Sequence, residues 1–135
     1  MNDFSMFLKE NVKPIETIEF VASNRFIDGD GNPVKWILKP VSSKEENVIK
    51  QECIKFNAKN RDFDFNKYNL KICAAAVVFP NLRSADLQDS YGVKTPEDLL
   101  LELLPISGEF NNLFTKVQEI NSVESLEDLV EEAKN

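Results

Sequence analysis

The spacing of the apolar residues changes at Pro40, and this change constrains the fold more than any other feature of the sequence. Upstream of Pro40, apolar and polar residues alternate in two runs, and a period of two residues is typical of a β-strand. Residues 28–33, Asp-Gly-Asp-Gly-Asn-Pro, separate the two runs and favour a turn. We therefore predict an N-terminal β-hairpin with alternating apolar residues at Ile18, Phe20 and Ala22, then at Val34, Trp36 and Leu38.

Downstream of Pro40 the apolar residues recur at helical spacing, and several helix start signals follow one another. Ser42 and Glu45 have the spacing of a capping box, and Thr95 precedes a proline at a first helical position. Ser107 and Ser125 are further start signals. The predicted helices cover residues 42–56, 65–79, 95–104, 107–120 and 125–134, and residues 57–64 are predicted to form a loop.

These elements together predict an α+β fold that is mostly α, with an N-terminal β-hairpin followed by a bundle of about five helices. A chain of 135 residues fits a single domain, 1–135, because it can bury roughly two-thirds of its unfolded surface. In this prediction, residues 1–41 contain the hairpin and a short helix at residues 3–10, capped by Asp3. Residues 42–135 form the helical part, which ends in an acidic helix at residues 125–134.

Residues 76–92, AVVFPNLRSADLQDSYG, form the first of two candidate binding segments. The stretch is predicted to end the central helix, to break at Pro80, and to form one short helical turn between Ser84 and Gly92. Large apolar residues continue through it among hydrogen-bonding side chains, which leaves a packing role and a protein-binding role both open. The residues that a binding role would use are Leu82, Leu87, Gln88, Asp89 and Tyr91.

The predicted C-terminal helix is the second candidate. The last 17 residues contain six acidic residues and one lysine, and they also carry a narrow apolar stripe. This pattern fits a surface helix that docks on its own chain, or a detachable amphipathic segment that engages a partner or a neighbouring copy. The stripe residues are Leu126, Leu129 and Val130.

Motifs that carry chemistry are scarce. The sequence contains no histidine, which removes the commonest general base and the commonest zinc ligand. Residues 28–32 resemble the start of a calcium loop, but Pro33 and Lys39 stand where such a loop needs glycine and a bidentate glutamate. We therefore predict no catalytic residue, no cofactor and no metal site, while an enzyme that uses a pair of carboxylates stays open as a minor alternative.

Net charge and cysteine usage limit the classes of binding partner and the cellular location that we expect for this chain. The net charge of −7 opposes binding to nucleic acid and to anionic membranes, and no run of 18 apolar residues occurs. The N-terminal residues do not have the pattern of a secretory signal, so we expect a cytoplasmic protein. Cys53 and Cys73 lie in apolar stretches, and we expect both to be reduced and buried.

Many stretches of the chain resemble the XkdN-like phage tail assembly chaperones, small proteins encoded in contractile-tailed phages and defective prophages of Gram-positive bacteria. The likeness is most recognisable between residues 77 and 93, and it spans nearly the whole chain in order, although it says nothing about residues 57–67. The stretches are VASNRF at 21–26, DGNP at 30–33, Trp36, VVFPNL at 77–82, Ala85, LQDSYGV at 87–93, LLP at 103–105, GEF at 108–110, VQEIN at 117–121 and LVEEAKN at 129–135.

The resemblance implies a non-enzymatic role. Tail assembly chaperones bind the tape measure protein, a long and largely helical polypeptide that sets tail length, and keep it soluble until tube subunits polymerise around it. They act in the host cytoplasm and are absent from the mature virion. The resemblance also implies self-association and a frameshift-extended form of the chain as partners. The alternative is a different phage-derived adaptor or regulatory domain that binds proteins in the cytoplasm.

Overall fold

The computed structural model of the chain describes residues 3–56 and 59–122. It confirms the predicted α+β architecture, with short strands placed before and among the helices. The strands are β1 (Ile18–Phe20), β2 (Trp36–Leu38), β3 (Ile54–Phe56), β4 (Arg61–Phe63) and β5 (Val77–Phe79). The α-helices of the described residues are α1 (Ser43–Glu52), α2 (Phe65–Ala76), α3 (Ala85–Ser90), α4 (Pro96–Leu103) and α5 (Ser107–Asn121).

The N-terminal hairpin is confirmed. β1 and β2 are antiparallel, with Ile18 opposite Leu38 and Phe20 opposite Trp36. In the connection between them, the carboxylate of Asp28 accepts hydrogen bonds from the backbone amides of Asp30 (2.8 Å) and Asn32 (3.0 Å). Gly31 has φ +83°, a conformation that glycine adopts without steric cost, which explains the dense turn sequence at this position.

The sheet has a third strand that the sequence did not predict. The central helix was predicted to run to residue 79, and this is wrong, because α2 ends at Ala76 and Val77–Phe79 continues as β5. β5 pairs with the free edge of β2, with Leu38 opposite Val77 and Ile37 opposite Phe79. The strand order is β1-β2-β5, so the chain passes directly from its central helix into the edge of the sheet.

The second correction concerns residues 53–64. The first helix was predicted to reach residue 56 and to be followed by a loop, but α1 ends at Glu52 and β3 pairs with β4. Ile54 lies opposite Phe63, and the Arg61 guanidinium lies 5.9 Å from the centre of the Phe56 ring. β-Branched and aromatic residues in two facing runs favour this small hairpin over a continued helix.

The N-terminal helix predicted at residues 3–10 is present as two short 3₁₀ segments, Phe4–Phe7 and Lys9–Asn11. The Asp3 cap is confirmed, because its carboxylate accepts a hydrogen bond from the Ser5 amide at 2.9 Å. Every residue from 3 to 17 is exposed. A helix this short is marginal without packing, which explains why a regular α-helix does not form.

Helix α2 lies at the centre of the described structure, in contact with α1, α4 and α5. The predicted caps at Ser42 and Thr95 are present, because their hydroxyl oxygens accept hydrogen bonds from the amides of Glu45 and Asp98. Cys53 and Cys73 are buried free thiols, as predicted. The core consists of Ala22, Trp36, Leu38, Ile49, Cys53, Ile72, Cys73, Ala74, Ala76, Val77, Leu82, Leu99, Leu100, Leu103, Leu104, Leu113 and Val117.

The acidic helix predicted at residues 125–134 lies outside the described residues. Within the described ranges, none of the helices combines the length and the apolar character that a membrane span requires.

Candidate functional site

An apolar groove of about 450 Å³ opens between the N-terminal hairpin and α3. Four parts of the chain, distant in sequence, meet there because β5 brings the end of α2 beside β2. We call this surface the hairpin groove. Its lining residues are Arg25, Phe26, Ile27, Val34, Trp36, Phe79, Pro80, Leu87, Tyr91 and Leu103.

Buried side chains form the base of the hairpin groove. Trp36 and Leu103 are core residues with almost no exposed surface, and Phe26 packs on Trp36 with ring centroids 6.2 Å apart. The Phe79–Pro80 peptide bond at its edge is cis. A base built from core residues holds its shape, so the groove is preformed in the free chain.

The rim of the hairpin groove is apolar and accessible. Ile27 is 64% exposed, and Phe79 and Tyr91 are also among the exposed large hydrophobic residues. Among the described residues that line it, Arg25 is the only charged one. Exposed apolar residues that cluster around a concave surface are typical of a site that binds another protein.

Local hydrogen bonds fix the two ends of α3, the helix that forms one side of the hairpin groove. The Ser84 hydroxyl accepts a hydrogen bond from the Leu87 amide at 3.2 Å, which confirms the predicted cap. Gly92, with φ +68°, ends the helix. The Gln88 side-chain amide donates to the Leu82 carbonyl at 2.8 Å, and this bond ties the helix to the loop before it.

The five binding candidates of residues 76–92 therefore occupy different environments. Leu87 and Tyr91 line the hairpin groove, whereas Leu82 is 2% exposed and belongs to the core. Gln88 is half-buried and uses its side chain in the internal bond described above, and Asp89 is exposed outside the groove lining. The other three candidates, Leu126, Leu129 and Val130, lie outside the described residues.

Most of the groove was not foreseen as a site. Arg25, Phe26, Trp36, Phe79 and Pro80 were known only as hairpin, helix or turn residues. A signal was nevertheless present, because these five residues fall in the stretches that resemble the tail assembly chaperones. The structure brings those separate stretches to one surface.

A second, more polar groove of about 350 Å³ lies between α1 and α2, and we call it the α1–α2 groove. In it, the Lys71 ammonium bridges Glu52 at 2.7 Å and Glu97 at 3.5 Å. The hydrogen bond with Glu52 raises the pKa of Lys71, and the same contact lowers the pKa of Glu52. Because the pKa of Lys71 is raised and that of Glu52 is lowered, both groups stay ionised near neutral pH, which is unlike a poised acid or base.

The rest of the described chain shows the same trend. Each described carboxyl group with a resolved shift, on Asp3, Glu52 or Asp64, has a lowered pKa because of hydrogen bonds or nearby lysines. A carboxyl that acts as a general acid needs the opposite shift. Among the described residues, no group of three or more potential ligands is placed to hold a metal ion.

Comparison with known proteins adds four findings. The family model for the phage XkdN-like tail assembly chaperone protein matches residues 4–134. The phage-like element PBSX protein XkdN of Bacillus subtilis strain 168 is 34% identical, over 98% of this chain and 94% of its own length. YqbN of the same strain is 30% identical over 98% and 93%, respectively. A crystal structure of the protein YqbN superposes with a TM-score of 0.78 at 25% identity, covering 92% of this chain and 99% of that structure.

Proposed function

This chain belongs to the XkdN-like family of phage tail assembly chaperones, and we propose that it binds the tape measure protein through the hairpin groove. In this proposal the chain keeps the tape measure protein soluble during tail assembly. The observation that carries the proposal is an accessible apolar groove with a rigid base, lined by Trp36, Phe79, Leu87 and Tyr91. A largely helical partner presents apolar stripes, and a groove of this kind receives such a stripe.

The size of the groove indicates how the binding is shared among copies. Burial of one leucine- or phenylalanine-sized side chain contributes about 1.5–3 kcal/mol. Association itself costs about 4–15 kcal/mol, so a groove that holds two or three such side chains binds weakly by itself. We infer that many copies cover one tape measure protein along its length, each at one apolar stripe.

The charge of the chain supports the second half of the proposal. Each copy carries a net charge of −7, so copies aligned along one polypeptide repel other loaded assemblies. The apolar faces of the tape measure protein are covered, while the outer surface of the assembly stays highly charged. Both effects oppose aggregation.

The remaining expectations from the family form part of the same proposal. The chain acts without catalysis, in the bacterial cytoplasm, and it is left out of the finished virion. Its partners include other copies of itself and a frameshift-extended form. The absence of histidine from the sequence and the lowered carboxyl pKa values in the described chain support a non-enzymatic role.

The test is co-expression of this chain with a tape measure protein from the same phage or prophage, followed by measurement of the soluble fraction of the tape measure protein. Ile27→Asp places a charge on the groove rim at a residue that is 64% exposed, and should reduce that fraction strongly. The matched control is Ile106→Asp, at a residue that is 55% exposed and does not line the groove. Both variants should keep the wild-type fold, because neither isoleucine is buried.

Two results would overturn the proposal. The first is a tape measure protein that is equally insoluble with and without the wild-type chain, which would remove the chaperone role. The second is an equal effect of Ile27→Asp and Ile106→Asp, which would move the binding surface away from the hairpin groove. Capture of a different helical phage protein by the same groove would favour the adaptor alternative.

A further inference from the structure

Residues 3–17, which we call the N-terminal arm, expose more large apolar side chains than any other described stretch of similar length. Every residue of the arm is exposed. The large apolar residues among them are Phe4, Met6, Phe7, Leu8, Val12 and Ile15. Apolar residues that stay this open together, beside a chain that buries a regular core, are typical of a surface that meets another protein.

The most apolar part of the arm is residues 4–8, Phe-Ser-Met-Phe-Leu, which contain the first 3₁₀ segment and no charged residue. In a 3₁₀ helix, residues three apart lie one above the other, so Phe4 and Phe7 share a face. These two rings are 75% and 76% exposed. Asp3 precedes them, so the arm presents an aromatic face with a carboxylate at its start.

The hairpin groove matches this face better than the α1–α2 groove does. Six of the ten residues that line the α1–α2 groove are charged, whereas the hairpin groove has one charged and four aromatic residues, Phe26, Trp36, Phe79 and Tyr91. Aromatic rings attract one another beyond the effect of buried area. The one charge, on Arg25, forms no ion pair with any residue of the described ranges and is opposite in sign to Asp3.

Within one molecule, the N-terminal arm and the hairpin groove lie toward opposite ends of the hairpin. The arm joins β1 at Ile18, which pairs with Leu38, whereas Phe26 of the groove belongs to the connection between the strands. Val12 is extended, and Lys13 is restricted to extended conformations because a proline follows it. The chain between the 3₁₀ segments and β1 does not fold back toward its own groove, which favours the groove of a second copy.

We propose that the N-terminal arm of one molecule docks in the hairpin groove of a second copy of this chain. Phe4 and Phe7 pack on the aromatic lining, and Asp3 lies beside Arg25. Each copy offers one arm and one groove, so the contact covers two exposed apolar surfaces at once. A helical partner must displace the arm to enter the groove, and this consequence rests on the proposed function.

The charge of the chain keeps the contact weak. Each copy has a net charge of −7, so two copies repel each other as they approach. At physiological salt the Debye length is about 8 Å, so the repulsion between distant charges is screened while the apolar contact persists. A weak contact suits a cover that a partner has to displace.

Paramagnetic relaxation between molecules tests the proposal. Isotope-labelled wild-type protein is mixed with unlabelled Ser5→Cys protein that carries a nitroxide. The variant keeps every charge of the arm and the backbone amide that donates to Asp3, and the native thiols of Cys53 and Cys73 are buried and stay unlabelled. The expected result is a loss of amide signal intensity at Phe26 and Tyr91 of the isotope-labelled copy.

Two pairs of matched variants assign the contact to the two surfaces. In the spin-labelled copy, Phe4→Ser with Phe7→Ser should restore most of the lost intensity, whereas Val12→Ser with Ile15→Ser, also at exposed residues of the arm, should not. In the isotope-labelled copy, Ile27→Asp on the groove rim should restore most of it, and Ile106→Asp should not. All of these residues are exposed, so the fold should be kept.

Three outcomes overturn the proposal. The first is unchanged intensity at Phe26 and Tyr91 in the mixture. The second is an equal or larger loss at Val48 and Ala75, which would place the arm in the α1–α2 groove. The third is a loss that persists when molecules carrying both labels are diluted with unlabelled wild-type protein, which would place the arm in its own groove. These readouts use this chain alone, so failure of arm docking is distinct from failure of tape measure binding, which co-expression measures.

Discussion

Leu82 offers the sharpest test of how the structure divides the segment of residues 76–92 into core and binding surface. It is 2% exposed, while Tyr91 in the same segment lies on the rim of the hairpin groove. Truncation of Leu82 to alanine removes three buried carbon atoms, a loss of about 2.4 kcal/mol at ~0.8 kcal/mol per carbon. The cavity left behind adds to this, and substitutions of this kind cost about 2–5 kcal/mol in total.

The assay is urea unfolding followed by circular dichroism, with Leu101→Ala as the matched control. Leu101 is 45% exposed on α4, so its truncation should cost about 0.5 kcal/mol or less. For a chain of this size, a loss of about 3 kcal/mol at Leu82 lowers the melting temperature by roughly 10 °C. The urea dependence of the unfolding free energy should stay unchanged, because both states keep their compactness.

A binding measurement distinguishes a core residue from a residue of the binding surface. Leu82→Ala should leave the affinity for the tape measure protein unchanged per folded molecule, whereas Tyr91→Ala should weaken binding with a much smaller loss of stability. A loss below about 1 kcal/mol for Leu82→Ala would refute the burial on which this reasoning rests. Equal losses of affinity in the two variants would refute the division of the segment.

Three further predictions follow from single contacts. Burial raises the pKa of the Cys73 thiol from 9.0 to about 12, so unfolding releases its proton between these values. Stability should therefore fall as pH rises from about 9 to 12, and Cys73→Ala should lessen that slope in urea unfolding measured against pH. Gly92→Ala should destabilise the chain by about 1 kcal/mol, because φ is +68° there, whereas Gly108→Ala should not. Lys71→Met should cost no more than ~1 kcal/mol after solvent screening, and titration by NMR should show the pKa of Glu52 returning upward.

Helix starts could be predicted from the sequence because the interactions that define them are local. Ser42, Ser84 and Thr95 each accept a hydrogen bond from an amide three residues later. The hairpin turn is local in the same way, since Asp28 satisfies amides two and four residues ahead. The chemistry of each signal is complete within a few residues, so a single sequence is enough to recognise it.

The end of α2 and the strand β5 were predicted wrongly because the pairing partner is distant. Val77 pairs with Leu38, nearly forty residues earlier, and this pairing ends α2 at Ala76. A short apolar run such as residues 77–79 has the composition of either a buried helix or a strand. Only the free edge of β2 decides between them.

The candidate site also has a part that the sequence predicts and a part that depends on tertiary packing. The sequence by itself determined that α3 is capped by Ser84 and carries Leu87, and that an apolar hairpin precedes the helices. The tertiary structure alone decided that Trp36, Phe79 and Tyr91 meet in one groove, and that Leu82 is buried instead. Caps and turns are formed by neighbours in the chain, whereas a groove is formed by side chains that only packing of the sheet against α3 brings together.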